Sequence, residues 1–135
     1  MLNWREVLVV SSDEGVRQNL AGILRQCGFE PILATTVAES RSVLSRQGIC
    51  IVFCEDQVAD GNYRDLVEEV ERTAKEVPII VVSRLGEWGE YLKAIRMGAF
   101  DYLAWPSRHG AIEWTTQNAL QERERRRKFE VAQVL

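Results

Sequence analysis

Short apolar runs alternate along the chain with longer stretches in which apolar residues recur every three or four positions. Val7-Leu8-Val9-Val10, Pro31-Ile32-Leu33-Ala34, Ile49-Cys50-Ile51-Val52-Phe53-Cys54, Ile79-Ile80-Val81-Val82 and the shorter Tyr102-Leu103-Ala104 read as five strands. Between the first two, Val16, Leu20, Ile23, Leu24 and Cys27 share one face of a helix that Gly28 closes. A second helix, capped by Thr35 or Thr36, carries Val37, Val43 and Leu44 and stops at Gly48. Tyr63, Leu66, Val67 and Val70 mark a third. A fourth spans about Glu87 to Met97, with Tyr91, Leu92 and Ile95 expected inward and Gly98 ending it. The last begins near Ser107 and extends to about Gln133.

Strands that alternate with helices, and that are apolar throughout rather than at every second position, predict a parallel sheet covered on both faces. Five such units predict a doubly wound, flavodoxin-like α/β domain of strand order 2-1-3-4-5. That domain is expected over residues 1–120, with 121–135 a charged extension of the last helix. In this arrangement the site lies where the carboxyl ends of the first and third strands meet. The candidates are Ser11, Ser12, Asp13, Glu55 and Asp56, with Ser83, Arg84 and Trp105 at the neighbouring strand ends.

Composition narrows the function classes. Of 135 residues, 46% are hydrophobic and 27% charged, with a net charge of −3, which suits one globular domain rather than a disordered chain. So mild a charge gives no reason to expect nucleic acid or an anionic membrane as partner. No apolar run approaches the roughly 18 residues of a membrane span. Met1-Leu2-Asn3-Trp4 leads almost directly into a strand, without the form of a signal peptide, so a cytoplasmic location is expected. Cys27, Cys50 and Cys54 are an odd set with no disulfide framework. Cys50 and Cys54, four apart on a strand, are expected to share a face as small buried residues. The single histidine, His109, is expected at the surface at a helix start, and alone it supplies neither a triad nor a His-based metal site. Ser11-Ser12-Asp13-Glu14-Gly15 carries one glycine, which is no phosphate-cradling loop.

Three segments together resemble the receiver domain of response regulators in bacterial two-component signalling, over roughly residues 5–120. They are Val7-Leu8-Val9-Val10 with the polar residues after it, Asp60-Gly61 beyond a strand-end acid, and Pro78-Ile79-Ile80-Val81-Val82-Ser83. A fourth, Met97-Gly98-Ala99-Phe100-Asp101-Tyr102-Leu103-Ala104-Trp105-Pro106, is the most specific. The resemblance implies a CheY-like fold and a phosphoacceptor pocket. In that family two adjacent acids after the first strand help hold Mg²⁺, an Asp ending the third strand accepts a phosphoryl group, and a Lys precedes the proline after the fifth. A hard cation wants carboxylate oxygens, and the Lys and the metal neutralise the transferring group.

Here the acid pair falls on Ser11 and Ser12, the acceptor on Glu55 and the Lys on Trp105. Ser83 and Tyr102 match the hydroxyl and the aromatic of the family's switch. Asp56 is expected to point away, since neighbours on a strand face opposite sides. Arg84 is expected to reach over the pocket and pair with Glu55 or Asp56. The departures imply a degenerate pseudo-receiver without enzymatic chemistry or Mg²⁺. Its expected partner is a protein (a histidine kinase, an output domain or a second copy) met through the fourth helix, fifth strand and fifth helix, where Trp88, Tyr91, Phe100, Tyr102 and Trp114 lie. The alternatives are a working phosphoacceptor using Glu55 or Asp56, and a small flavin-type cofactor binder on the same fold. Glu122–Arg126 and Glu124–Lys128 are favourable helical pairs, so the extension reads as a solvated helix, a linker or a dimerising segment. Its basic patch is too small and too interrupted for a DNA-binding element.

Overall fold

A computed structural model describes residues 5–46 and 48–134. The expected entry of residues 1–4 into the first strand lies outside the described residues. The elements follow in the order β1 (Glu6–Val10), α1 (Glu14–Gln26), β2 (Glu30–Ala34), α2 (Val37–Ser45) and β3 (Ile49–Glu55). Next come β4 (Gln57–Val58), β5 (Gly61–Asn62), α3 (Tyr63–Thr73), β6 (Ile79–Ser83), α4 (Trp88–Met97), β7 (Asp101–Ala104) and α5 (His109–Val134). β2-β1-β3-β6-β7 form one parallel sheet, which is the expected flavodoxin-like order with two short strands intercalated in the count. Those two, β4 and β5, pair antiparallel as a small hairpin in the loop after β3.

The strands are apolar throughout because helices cover both faces. On one face Leu8, Val10, Val52 and Val81 pack with Leu44 of α2, Leu66 and Val70 of α3, and Ala94 of α4. On the other Val7, Val9, Phe53 and Ile80 pack with Leu20 and Leu24 of α1 and Ile112 and Ala119 of α5. Local chemistry fixes the helix starts. Asp13, Thr36 and Asn62 cap α1, α2 and α3 through their side-chain oxygens, Asn62 in a reciprocal pair with Asp65. At Gly98, φ is +113° and a Cβ would meet Val67 Cγ1 at 2.9 Å, so a residue without a side chain closes α4.

Two expectations need correcting. Cys50 and Cys54 are both buried, but on opposite faces. Glu6 pairs with Ile49 while Val7 pairs with Ile51, so Cys50 is an extra residue in the ladder and the alternation flips there. The second concerns α4, where Leu92 and Ile95 are exposed (37% and 36%) and Ala94 alone is buried. The helix sits against the edge strand β7, so little sheet lies beneath its flanks. No helix among the described residues is long and apolar enough to cross a membrane.

Candidate functional site

The carboxyl ends of β1, β3 and β6 bring the predicted residues together. Glu55 is the last residue of β3 and is 8% exposed. A carboxylate so deep needs partners for both oxygens. Ser11, just past β1 and itself buried, donates its hydroxyl to Glu55 Oε1 at 2.7 Å. Arg84, just past β6, donates from Nε (3.1 Å) and Nη2 (2.9 Å) to Glu55 Oε2. The same Nη2 lies 3.2 Å from Asp13 Oδ2. One guanidinium therefore bridges two carboxylates contributed by two different strand ends.

The other candidates are committed to structural bonds. Asp13 Oδ1 accepts the Val16 N–H at 2.9 Å as the cap of α1. That bond, with Arg84 and Arg17 nearby, holds the Asp13 carboxyl below its usual range. Ser12 donates to the Thr35 carbonyl (3.1 Å) and accepts the Ala59 N–H (2.9 Å), which pins the β4–β5 loop beside β1. The buried Ser83 donates to Asp56 Oδ2 at 3.0 Å and accepts the Leu85 N–H at 3.1 Å.

Asp56 was expected to turn away from the cleft. Instead β3 ends at Glu55, so strand alternation no longer governs the next side chain, and the Asp56 carboxylate bends toward the end of β6. Trp105 takes the Ser83 carbonyl through its backbone N–H at 2.7 Å. Its half-buried indole packs on the core cluster that includes Leu20 and Ile112. Tyr102 packs edge-on against Tyr91 (centroids 6.1 Å apart, 87° between planes), and Tyr91 stacks on Trp88 at 5.2 Å. Trp88 is 72% and Trp114 69% exposed, whereas Phe100 is half-buried.

Two contributors escaped the sequence reading. Arg17 donates to the Ser11 carbonyl at 2.8 Å and so steadies the turn that carries Ser11. Asp60 accepts the Val37 and Ala38 N–H groups (2.7 and 3.1 Å), anchoring the hairpin to the start of α2. Those bonds hold the Asp60 carboxyl low. The Asp60-Gly61 turn was visible in the sequence, but its docking on a helix 22 residues earlier was not. A cavity of about 610 Å³ opens at the opposite end of the sheet, lined by Leu44, Ile49, Val77, Leu120, Arg123 and Arg127.

No family model matches the chain. It is 29% identical over 101 residues to the photosynthetic apparatus regulatory protein RegA of Rhodovulum sulfidophilum, covering 75% of this chain and 55% of that protein. To the response regulator protein PilR of Pseudomonas aeruginosa it is 24% identical over 119 residues, covering 88% of this chain and 27% of that one. The chain thus spans about half, or less, of the length of the curated relatives it matches. Among solved structures, the beryllofluoride-activated NtrC4 receiver domain dimer superposes with a TM-score of 0.82 at 24% identity, covering 88% of this chain and 98% of that one. NtrX from Brucella abortus in complex with ADP gives 0.83 at 24% identity, covering 94% and 28%.

Proposed function

We propose that this chain, a response-regulator receiver domain, serves two-component signalling as a phosphorylation-independent interaction module rather than as a phosphoacceptor. One observation carries the reading. The carboxylate at the acceptor position, Glu55, already has both oxygens engaged, one by Ser11 and one by the chain's own Arg84. The position of the family's phosphoryl-neutralising lysine is held by Trp105, and the cation bonded to Glu55, Arg84, neutralises that carboxylate itself.

The donor set also fits Mg²⁺ poorly. A small hard cation needs carboxylate oxygens that are free to turn toward it. Ser11 and Ser12 offer neutral hydroxyls in existing hydrogen bonds, Asp13 is divided between a helix cap and Arg84, and a guanidinium occupies the space between the acids. No phosphoryl step is therefore assigned. The flavin alternative draws no support from the cavity, which lies at the other end of the sheet from the strand-end crevice such ligands favour.

In this reading the domain is cytoplasmic, catalyses nothing and signals by binding a protein: a histidine kinase, an output domain or a second copy. The surface offered is that of α4, β7 and α5. Trp88, Leu92 and Ile95 are exposed on α4, and the Trp88–Tyr91–Tyr102 ring series connects that face to the core. Neither nucleic acid nor membrane is a partner, and residues 121–135 act as a linker or dimerising helix.

Incubation with acetyl phosphate and Mg²⁺, followed by intact-mass spectrometry, tests the central claim. The mass is expected to stay unchanged, and a stoichiometric phosphoryl adduct on Glu55 or Asp56 would overturn the reading. The surface is tested separately. Leu92→Glu is expected to abolish self-association or kinase capture while leaving the circular dichroism spectrum intact. Unaltered binding would remove α4 from the interface.

A further inference from the structure

Away from the strand-end cleft, three side chains of different chemistry converge where the end of α1 meets the first turn of α5. Cys27 is the C-cap of α1, His109 is the first residue of α5, and Glu113 follows one turn later on the same face. The Cys27 Sγ lies 3.7 Å from His109 Nε2, and that nitrogen lies 3.5 Å from Glu113 Oε2. All three donor atoms fall within 4.8 Å of one another. Cys27 is half-buried, and the His109 and Glu113 side chains are 45% and 55% exposed. A solvated ion can therefore reach the donors.

We infer that Cys27, His109 and Glu113 form a binding site for a borderline-soft divalent cation of the Zn²⁺ class. Three features support this. First, the donors are one thiol, one imidazole and one carboxylate, the mixed set that Zn²⁺ takes and that Mg²⁺ or Ca²⁺ does not. Second, two of the three donor spacings already suit the ion, and the exposed Glu113 side chain, whose oxygen lies within 4.8 Å of the Cys27 sulfur, is free to adjust the third. Tetrahedral Zn²⁺ with a Zn–S bond near 2.3 Å and a Zn–N bond near 2.0 Å sets S···N at about 3.6 Å and N···O at about 3.3 Å. Third, two of the donors sit on one helix in a fixed register, so most of the ordering needed is already present.

The fourth position is open to water. On binding, the Cys27 thiol gives its proton to solvent and ligates as thiolate, neutral His109 ligates through Nε2 while its proton stays on Nδ1, and Glu113 ligates through one oxygen. The ion joins α1 to α5, two helices that otherwise meet through apolar packing on the sheet. Burial and the neighbouring Glu113 carboxylate raise the Cys27 thiol pKa. Without metal the thiol stays protonated and shares a weak contact with the imidazole.

The test uses the full chain, reduced and stripped with chelator, then titrated with Zn²⁺ against a chromophoric competitor. One equivalent per chain is expected, with a thiolate-to-metal charge-transfer band when Co²⁺ replaces Zn²⁺. Removing a group that merely supports a ligand commonly lowers affinity about 10- to 100-fold, so losing a ligand is expected to lower it about 100-fold or more. Cys27→Ser and His109→Ala should each do so, and Cys27→Ser should also abolish the Co²⁺ band. His109 is exposed at a helix start, so its replacement keeps the fold and reads out the site even if Cys27→Ser disturbs packing. Absence of stoichiometric binding, or binding undiminished in His109→Ala, would overturn the inference.

Discussion

Two arginine–carboxylate clusters in this molecule look alike in composition and differ in how the chain brings their members together. In the strand-end cleft, Arg84 holds Glu55 and Asp13, residues 29 and 71 positions away in the chain, and Glu55 is almost wholly buried. On α5, Glu122 accepts from Arg125 (2.8 and 2.9 Å) and from Arg126 (2.7 Å), all within one helical turn. Arg125 is 67% exposed, against 55% for Arg84, and Glu122 is 17% exposed, against 9% for the Glu55 side chain. The first cluster exists because the sheet forces a carboxylate out of water and something must answer its charge. The second exists because helical spacing places opposite charges side by side whatever the tertiary structure does. Hence the first should matter to the fold and to any chemistry in the cleft, and the second should contribute modestly and respond to solvent conditions.

The sharpest way to break this contrast is Arg84→Met. Removing one partner of a buried ion pair commonly costs roughly 3–5 kcal/mol, because the remaining charge has nowhere to go. The Arg84 side chain is 55% exposed, so water can replace part of its contribution, and a clearly lowered urea midpoint rather than the full loss of a buried pair is expected. Adding Glu55→Gln should restore more than half of that shift, since the orphaned charge disappears with it. A single-variant midpoint indistinguishable from that of the unmodified protein would place the Arg84–Glu55 pair among ordinary surface bridges.

The same contrast explains what could be read from the chain. The strands, the sheet order and the inward faces of α1 and α3 follow from apolar periodicity, because burial on two faces imposes it residue by residue. Glu55, Ser11 and Arg84 could be gathered at one crevice because parallel topology makes strand ends converge. The misreadings arose where a local rule met a tertiary exception. Cys50 changed face through one extra residue in the β1–β3 ladder, which no strand pattern announces. Leu92 and Ile95 keep helical spacing, but α4 rests on an edge strand that offers too little surface to cover them. Asp56 obeyed no alternation because β3 had already ended. Cys27 and His109 lie 82 residues apart, and only the packing of α1 against α5 makes them neighbours.

The α5 cluster sharpens the comparison through pH. Hydrogen bonds from Arg125, reinforced by Arg126, pull the Glu122 carboxyl down from its free value of 4.5 to about 2. A carboxylate whose folded pKa is depressed stabilises the fold fully above the unfolded value. Its contribution therefore fades as pH falls from 4.5 toward 2, when the folded-state group takes up its proton. Solvent screening limits that contribution to about 1 kcal/mol. Glu122→Gln should lie below the unmodified protein by that amount at neutral pH, with the gap closing through the acid window and shrinking at about 1 M salt, where the Debye length falls to about 3 Å. Glu55 itself is buried although Arg84 and Asp13 are about half exposed, so the Arg84→Met comparison should show weaker salt dependence. Equal salt sensitivity in the two clusters would mean that water reaches Glu55 freely. Arg84 would then compete with solvent for the Glu55 carboxylate instead of replacing it.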